Sequence, residues 1–220
     1  MTAKRRLLAA LAALAAVSLA TLAYADIAIY KNGFGSQQAA KSIKQLGGGD
    51  CKRDWHQRKA LALTIDGGRG SCVYRTPVEG DSKQPNYTIS ASAVVDKNLA
   101  KKLRRDVYAA LAVRASAKSG YMLRVFPKGR RWQFLRNGAI VDNGKDRAIA
   151  ALGKKNFLYI GVDKDVVRFG IKKQAFGNFE DPKAAEIEGK RTALGVGNVK
   201  QAKKNATVIF DNLKVQVPEK

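Results

Sequence analysis

From Lys59 onward, apolar and polar side chains of this 220-residue chain alternate one by one, and a period of two is the spacing of a half-buried strand. Leu61, Leu63 and Ile65 alternate with Ala60, Ala62 and Thr64 until Asp66-Gly67-Gly68 turns the chain. Cys72-Val73-Tyr74 runs on towards Pro77. Tyr87, Ile89, Ala91, Ala93 and Val95 then stand against Thr88, Ser90 and Ser92, one face apolar and the other hydroxylic. The runs Met122-Leu123-Arg124-Val125-Phe126 and Trp132-Gln133-Phe134-Leu135 are joined by Pro127-Lys128-Gly129-Arg130, whose Pro and Gly predict a hairpin turn. Asp163-Lys164-Asp165 predicts another between Phe157-Leu158-Tyr159-Ile160 and Val166-Val167-Arg168-Phe169. Val208-Ile209-Phe210 and then Leu213, Val215 and Val217 close the series. Leu99, Leu103, Val107 and Leu111 instead recur every four residues, which predicts a helical turn over 98–105 before a strand over 107–114. Residues 37–46 read as a short helix or loop ahead of Gly47-Gly48-Gly49. About ten short strands parted by Gly, Pro, Asn and Asp predict an all-β sandwich or barrel.

The start of the chain has a different grammar. Lys4-Arg5-Arg6 precedes an unbroken apolar run over residues 7–17, and Ala23-Tyr24-Ala25 supplies small residues at the spacing of a peptidase site. This pattern predicts a secretory signal peptide over 1–25, of bacterial type, and one domain over 26–220 without a transmembrane span. The destination is then the cell envelope or beyond. Cys51 and Cys72 are the only cysteines, and two thiols in an oxidising compartment predict one disulfide.

Composition narrows the chemistry. Lys and Arg number 41 against 18 Asp and Glu, and the segment 1–25 removes only three of the basic residues, so the rest carries a net charge of about +20. Such a field attracts polyanions and keeps copies apart, which predicts a monomer. Basic residues cluster at Lys101-Lys102-Arg104-Arg105, Lys128-Arg130-Arg131, Lys172-Lys173 and Lys200-Lys203-Lys204, all in turns or strand ends. Export and the lack of a nucleic-acid module direct this charge to acidic glycans or other anionic surface polymers. One histidine and two cysteines exclude thiolate and multi-histidine metal centres.

Three stretches, Ala109-Ala110-Leu111-Ala112-Val113-Arg114, Gly120-Tyr121-Met122-Leu123-Arg124-Val125 and Trp132-Gln133-Phe134-Leu135-Arg136, resemble central strands of concanavalin A-like lectin/glucanase jelly rolls. They are closer still to LamG-like and 3-keto-disaccharide-hydrolase-type domains. Val208-Ile209-Phe210-Asp211-Asn212-Leu213-Lys214-Val215 is similar to the last strand of such domains, and residues 157–171 to a strand pair. The resemblance covers roughly residues 59–217. It implies a two-sheet antiparallel β-sandwich, the jelly roll, whose curved sheet often holds a glycan or peptide and whose rim binds calcium in some members. It implies too that Arg114, Tyr121, Arg124, Trp132 and Arg136 come from the ligand-holding sheet. Tyr121 opposes Arg124 in parity while Trp132 shares the parity of Arg136, so part of the set must point inward. Asp26 and Asp211 are the positions considered for calcium.

Catalytic patterns are sparse. A glycosidase needs two carboxyl groups about 5 to 10 Å apart. The related glucanase pattern E-x-D-x-x-E is absent, Glu186-x-Glu188 lies in a polar segment, and Asp163-x-Asp165 fits a turn. His56 follows Asp54-Trp55 in a surface or loop setting, and no G-x-S-x-G presents a serine. The expectation is a non-catalytic binding module without a cofactor. A glycan-processing hydrolase and a protein–protein interaction module are the alternatives.

Overall fold

A computed structural model describes residues 27–66, 70–79, 86–172, 174–200 and 205–217. The predicted export segment and Asp26 lie outside the described residues, as do Gly67, Gly68, Lys173, Lys203 and Lys204.

Alternation becomes two antiparallel sheets, as a chain with one oily face per strand requires. The first sheet runs β13 (Gln174–Glu180), β12 (Val166–Ile171), β11 (Asn156–Asp163), β6 (Tyr87–Val95), β15 (Ala206–Val217), β4 (Ala60–Ile65), β3 (Cys51–His56), with β1 (Ile27–Asn32) beside the far half of β15. The second runs β10 (Ala139–Lys145), β9 (Arg131–Arg136), β8 (Tyr121–Phe126), β7 (Val107–Ala115), β14 (Arg191–Asn198), β5 (Gly70–Glu79), β2 (Lys44–Gly47). The apolar face of each strand enters the layer between them: Leu61, Leu63, Ile89 and Val95 from the first sheet, Leu111, Leu123, Leu194 and Val196 from the second. Phe134 of β9 stacks on Phe169 of β12 across that layer, ring centres 4.3 Å apart.

Both predicted hairpin turns form, between β8 and β9 and between β11 and β12. The expected helical turn over 98–105 is instead a pair of tight turns. Leu103 donates to Ala100 O and Asp106 to Leu103 O, which buries Leu99 and Leu103 without an α-helix. In the ambiguous stretch 37–46, a five-residue helix α1 (Gln37–Lys41), capped by the Ser36 hydroxyl, gives way to β2. Among the described residues no helix is long and apolar enough to cross a membrane.

Cys51 and Cys72 are bonded, joining β3 to β5 and so one sheet to the other across 21 residues of sequence. A loop of that length restricts the unfolded chain by about 3 kcal/mol. Reduction with dithiothreitol is therefore expected to move the urea unfolding midpoint down by that free energy. An unmoved midpoint would mean that the two sheets hold their register without the bridge.

Candidate functional site

The outer face of the seven-stranded sheet is built in three rows of residues placed side by side by strand register. One row crosses Arg75, Ala193, Ala112, Met122 and Leu135; the next crosses Val73, Gly195, Ala110, Arg124 and Gln133. The third crosses Ser71, Gly197, Tyr108, Phe126 and Arg131, with Phe126 following Val125 in the register that pairs Val125 with Ala109. The two middle strands thus present small residues, Ala193 and Gly195 on β14 and Ala110 and Ala112 on β7, between taller walls on β5 and β8. A shallow depression of about 180 Å³ results. It runs from Ser71 and Val73 past Ala112 to the loop 116–120, lengthwise along the strands, with Met122, Arg124 and Leu135 on its other side.

Glycine at 197 is a steric requirement. A Cβ there would lie 2.2 Å from the Tyr108 ring, which leans across β14. Tyr108 is buried, shares a hydrogen bond with Ser71, and packs on Phe126 at 5.2 Å. Burial pushes its phenol above the ordinary range, against the pull of Arg124 and Ser71. The Arg124 guanidinium covers this ring at 4.7 Å, a cation–π contact. Arg124 Nε and Gln133 Oε1, paired in register on neighbouring strands, are buried without hydrogen-bond partners. Polar atoms left so cost about 1 to 3 kcal/mol each. None of the fifteen outward positions just named is a carboxylate.

Of the five residues drawn from this sheet, the structure sends Arg124 to the outer face and turns four inward. Trp132 is buried against Phe169 and stacked on Phe176, centres 5.3 Å apart. Tyr121 is fully buried, its hydroxyl donating to Asp181 Oδ2 at 2.7 Å, and burial raises its phenol far above the ordinary range. Arg136 Nε donates to the same oxygen at 2.6 Å, and its Nη2 reaches Lys183 O and Glu186 Oε2.

Arg114 departs from simple alternation, which would carry it outward with Ala112. Four residues of β7, from Ala112 to Ala115, face three of β14, from Ala193 to Arg191, so a bulge sits at this point. Arg114 takes it up at φ +46° and swings inward to zero exposure. Its guanidinium donates to Lys164 O at 2.6 Å, Ala184 O at 3.2 Å and Asn86 Oδ1 at 3.3 Å. Arg114, Tyr121 and Arg136 tie the sandwich together at one end, while Trp132 packs in the core nearer the β8–β9 turn.

Burial would raise the Asp181 carboxyl, but the hydrogen bonds from Arg136, Tyr121 and the Lys183 N–H outweigh it and hold the group below the ordinary carboxylate range. A lowered folded-state value makes its contribution complete above about pH 4 and lost as pH falls further. Stability is accordingly expected to drop below pH 4, and more shallowly in Asp181→Asn. Equally steep acid limbs in urea titrations of both proteins would assign the effect elsewhere.

The clusters over 101–105 and 128–131, far apart in sequence, meet at the other end together with Lys200. The antiparallel order sets the start of β7 beside the end of β8, the start of β9 beside the end of β10, and the end of β14 beside the start of β7. Lys101, Lys102, Arg104, Arg105, Lys128 and Arg130 are all exposed there. Arg131, half-buried over the Phe126 ring, donates to Arg105 O at 2.6 Å and ties two of the clusters together. Arg130 reaches Arg147 O, and Lys200 stands 3.7 Å from Asp106. Residues 96–106, 127–131 and 145–155 with Lys200 carry thirteen cations and three carboxylates. Asp96 and Asp146 are occupied by backbone N–H groups of Asn98 and Ala148. At the opposite end, residues 163–165 and 180–190 hold six carboxylates against three lysines, so the charge excess is concentrated on one end.

Other candidates find plainer settings. His56 ends β3, and Glu186 and Glu188 are both exposed. The Asp211 carboxylate accepts from Asn212 N and Nδ2, and among the described residues no three His, Cys, Asp or Glu side chains cluster closely enough to hold a metal ion.

The two sheets and their order define a concanavalin A-like, lectin-type β-sandwich. The carbohydrate-binding module CBM66 from Bacillus subtilis superposes with a TM-score of 0.59 at 16% identity, over 80% of this chain and 95% of that one. A Bacillus subtilis protein of unknown function with a galectin-like fold gives 0.61 at 11%, over 87% and 97%, and the lectin from Bauhinia forficata in complex with GalNAc gives 0.58 at 10%, over 87% and 98%. No protein-family model and no curated protein matches the sequence.

Proposed function

We propose that this protein is a secreted, non-catalytic module that binds glycans or anionic cell-surface polymers on the outer face of its seven-stranded sheet. The observation that carries this reading is the depression over β7, between β5 and β8, walled by Arg124 and free of carboxylates. The Arg124 guanidinium at the edge of the depression supplies cationic N–H donors for a polyhydroxylated or acidic ligand. The structural neighbours that are carbohydrate-binding modules and lectins agree with it, and the disulfide agrees with an oxidising destination. A hydrolase of the 3-keto-disaccharide type would need facing carboxyl groups, which these outward positions do not supply.

A glycan array probed at low and high salt tests the proposal. Retention of acidic polymers that weakens with salt supports it. Turnover of a neutral disaccharide derivative would replace it with the hydrolase, and silence across the array with a protein–protein module.

A further inference from the structure

Two features treated so far as separate, the depression and the cationic end, share a boundary. The third row of the outer face contains Arg131, and Arg131 is also the residue pinned to the Arg105 carbonyl. Ser71 lines the depression in that same row. The depression follows the strand direction: Ala112 and Ala115 succeed one another along β7 and lead into the loop 116–120, while Ser71 lines it at the level of the third row. From the Tyr108 row to Ala115 is seven residues, about 24 Å of strand. Its β8 wall carries Arg124 and Lys118 stands at its far end, while the loops beyond the third row carry thirteen cations.

We propose that the depression and the cationic end form one continuous site, whose ligand is a linear polyanionic glycan lying lengthwise along β7 and β14 and leaving over the loops 96–106 and 127–131. The inference rests on the outer face being the binding face. It adds the class of ligand, its direction and the partition of the contacts. Arg124 grips one short segment, while the end loops add attraction without shape for the segment that follows. A narrow lengthwise trough suits a single strand of polymer. A flat anionic bilayer would meet the end loops but could not reach Arg124, which lies a row further in on the sheet face.

Heparin-derived fragments of two to ten sugars serve as the sulfated probe, titrated into the full protein by calorimetry at low salt. Affinity is expected to rise at least about tenfold from the shortest fragment to those that span both regions, then level off. A Lys101→Gln/Lys102→Gln/Lys128→Gln variant alters only exposed side chains. It is expected to lose roughly tenfold on the longest fragment and less than about threefold on the shortest. Arg124→Gln is expected to weaken all lengths. Binding that depends on Arg124 but has no length dependence and ignores the end variant would overturn the continuous site while leaving the glycan-binding face intact. Long-fragment binding indifferent to Arg124, or anionic vesicles held as tightly as the fragments, would make the end a separate surface. No binding at any length would remove the underlying reading as well.

Discussion

Arg114→Ala is expected to destabilise the fold by about 3 kcal/mol, the upper range for one side chain, although Arg114 touches no solvent. Its guanidinium serves three acceptors on three segments: Asn86 ahead of β6, Lys164 in the β11–β12 turn, and Ala184 in the connection between β13 and β14. Asn86 Oδ1 also accepts from the Lys164 N–H, so removing the arginine disturbs a shared network. Burial lowers the guanidinium's affinity for its proton, while Tyr121 and Asp181, Asp163 and Asp165 favour the charged form. The charge is therefore retained and compensated by neighbours, and truncation leaves polar acceptors facing a cavity. For a chain of this size the loss corresponds to a fall in Tm of about 6 to 12 °C. Arg114→Met, which keeps the volume but not the donors, should recover only the cavity part. Urea unfolding of the three proteins measures this, and a midpoint for Arg114→Ala equal to the parent's would refute the clamp. Arg136→Ala should cost less, since its side chain is 20% exposed and water can replace part of what it gives Asp181.

What could be read in the sequence follows from where alternation is enforced. β4, β6, β8, β9, β11, β12 and β15 each have one face in the core, and their apolar period is plain. β3 and β10 are edge strands with little buried area, so nothing obliges Lys52, Arg53 and Asp54 or residues 139–145 to alternate. β14 is hidden for another reason: its outward positions are Ala193, Gly195 and Gly197, small because Tyr108 and the depression occupy the space. One signal was available and unused. Asn137-Gly138, both at positive φ, makes the two-residue turn from β9 to β10, and an Asn-Gly pair after an apolar run marks such a hairpin. Parity correctly implied that the five residues assigned to this sheet could not share a face. It could not foresee the bulge that turns Arg114, nor the strand order that gathers cations spaced 100 residues apart.

The largest effect on binding is expected from Arg124→Glu. The guanidinium is held over Tyr108 beside a trough without carboxylates, so its charge acts in a partly dehydrated setting where a charge-assisted hydrogen bond contributes about 1.5 to 3 kcal/mol. Removing it with Arg124→Ala should therefore weaken an acidic glycan roughly ten- to hundredfold, and reversing it should weaken the glycan further. Stability should hardly follow. The residue gives the fold one cation–π contact, about 1 kcal/mol, and its buried Nε has no partner to lose. This separation of binding from stability distinguishes Arg124 from Arg114, whose buried guanidinium serves the fold alone. The salt dependence separates the two roles of charge: lowering the number of cations that meet the ligand should flatten the fall of affinity with ionic strength. If Arg124→Glu binds heparin fragments as the parent does while unfolding at the same urea concentration, the outer face of this sheet is not where the glycan sits.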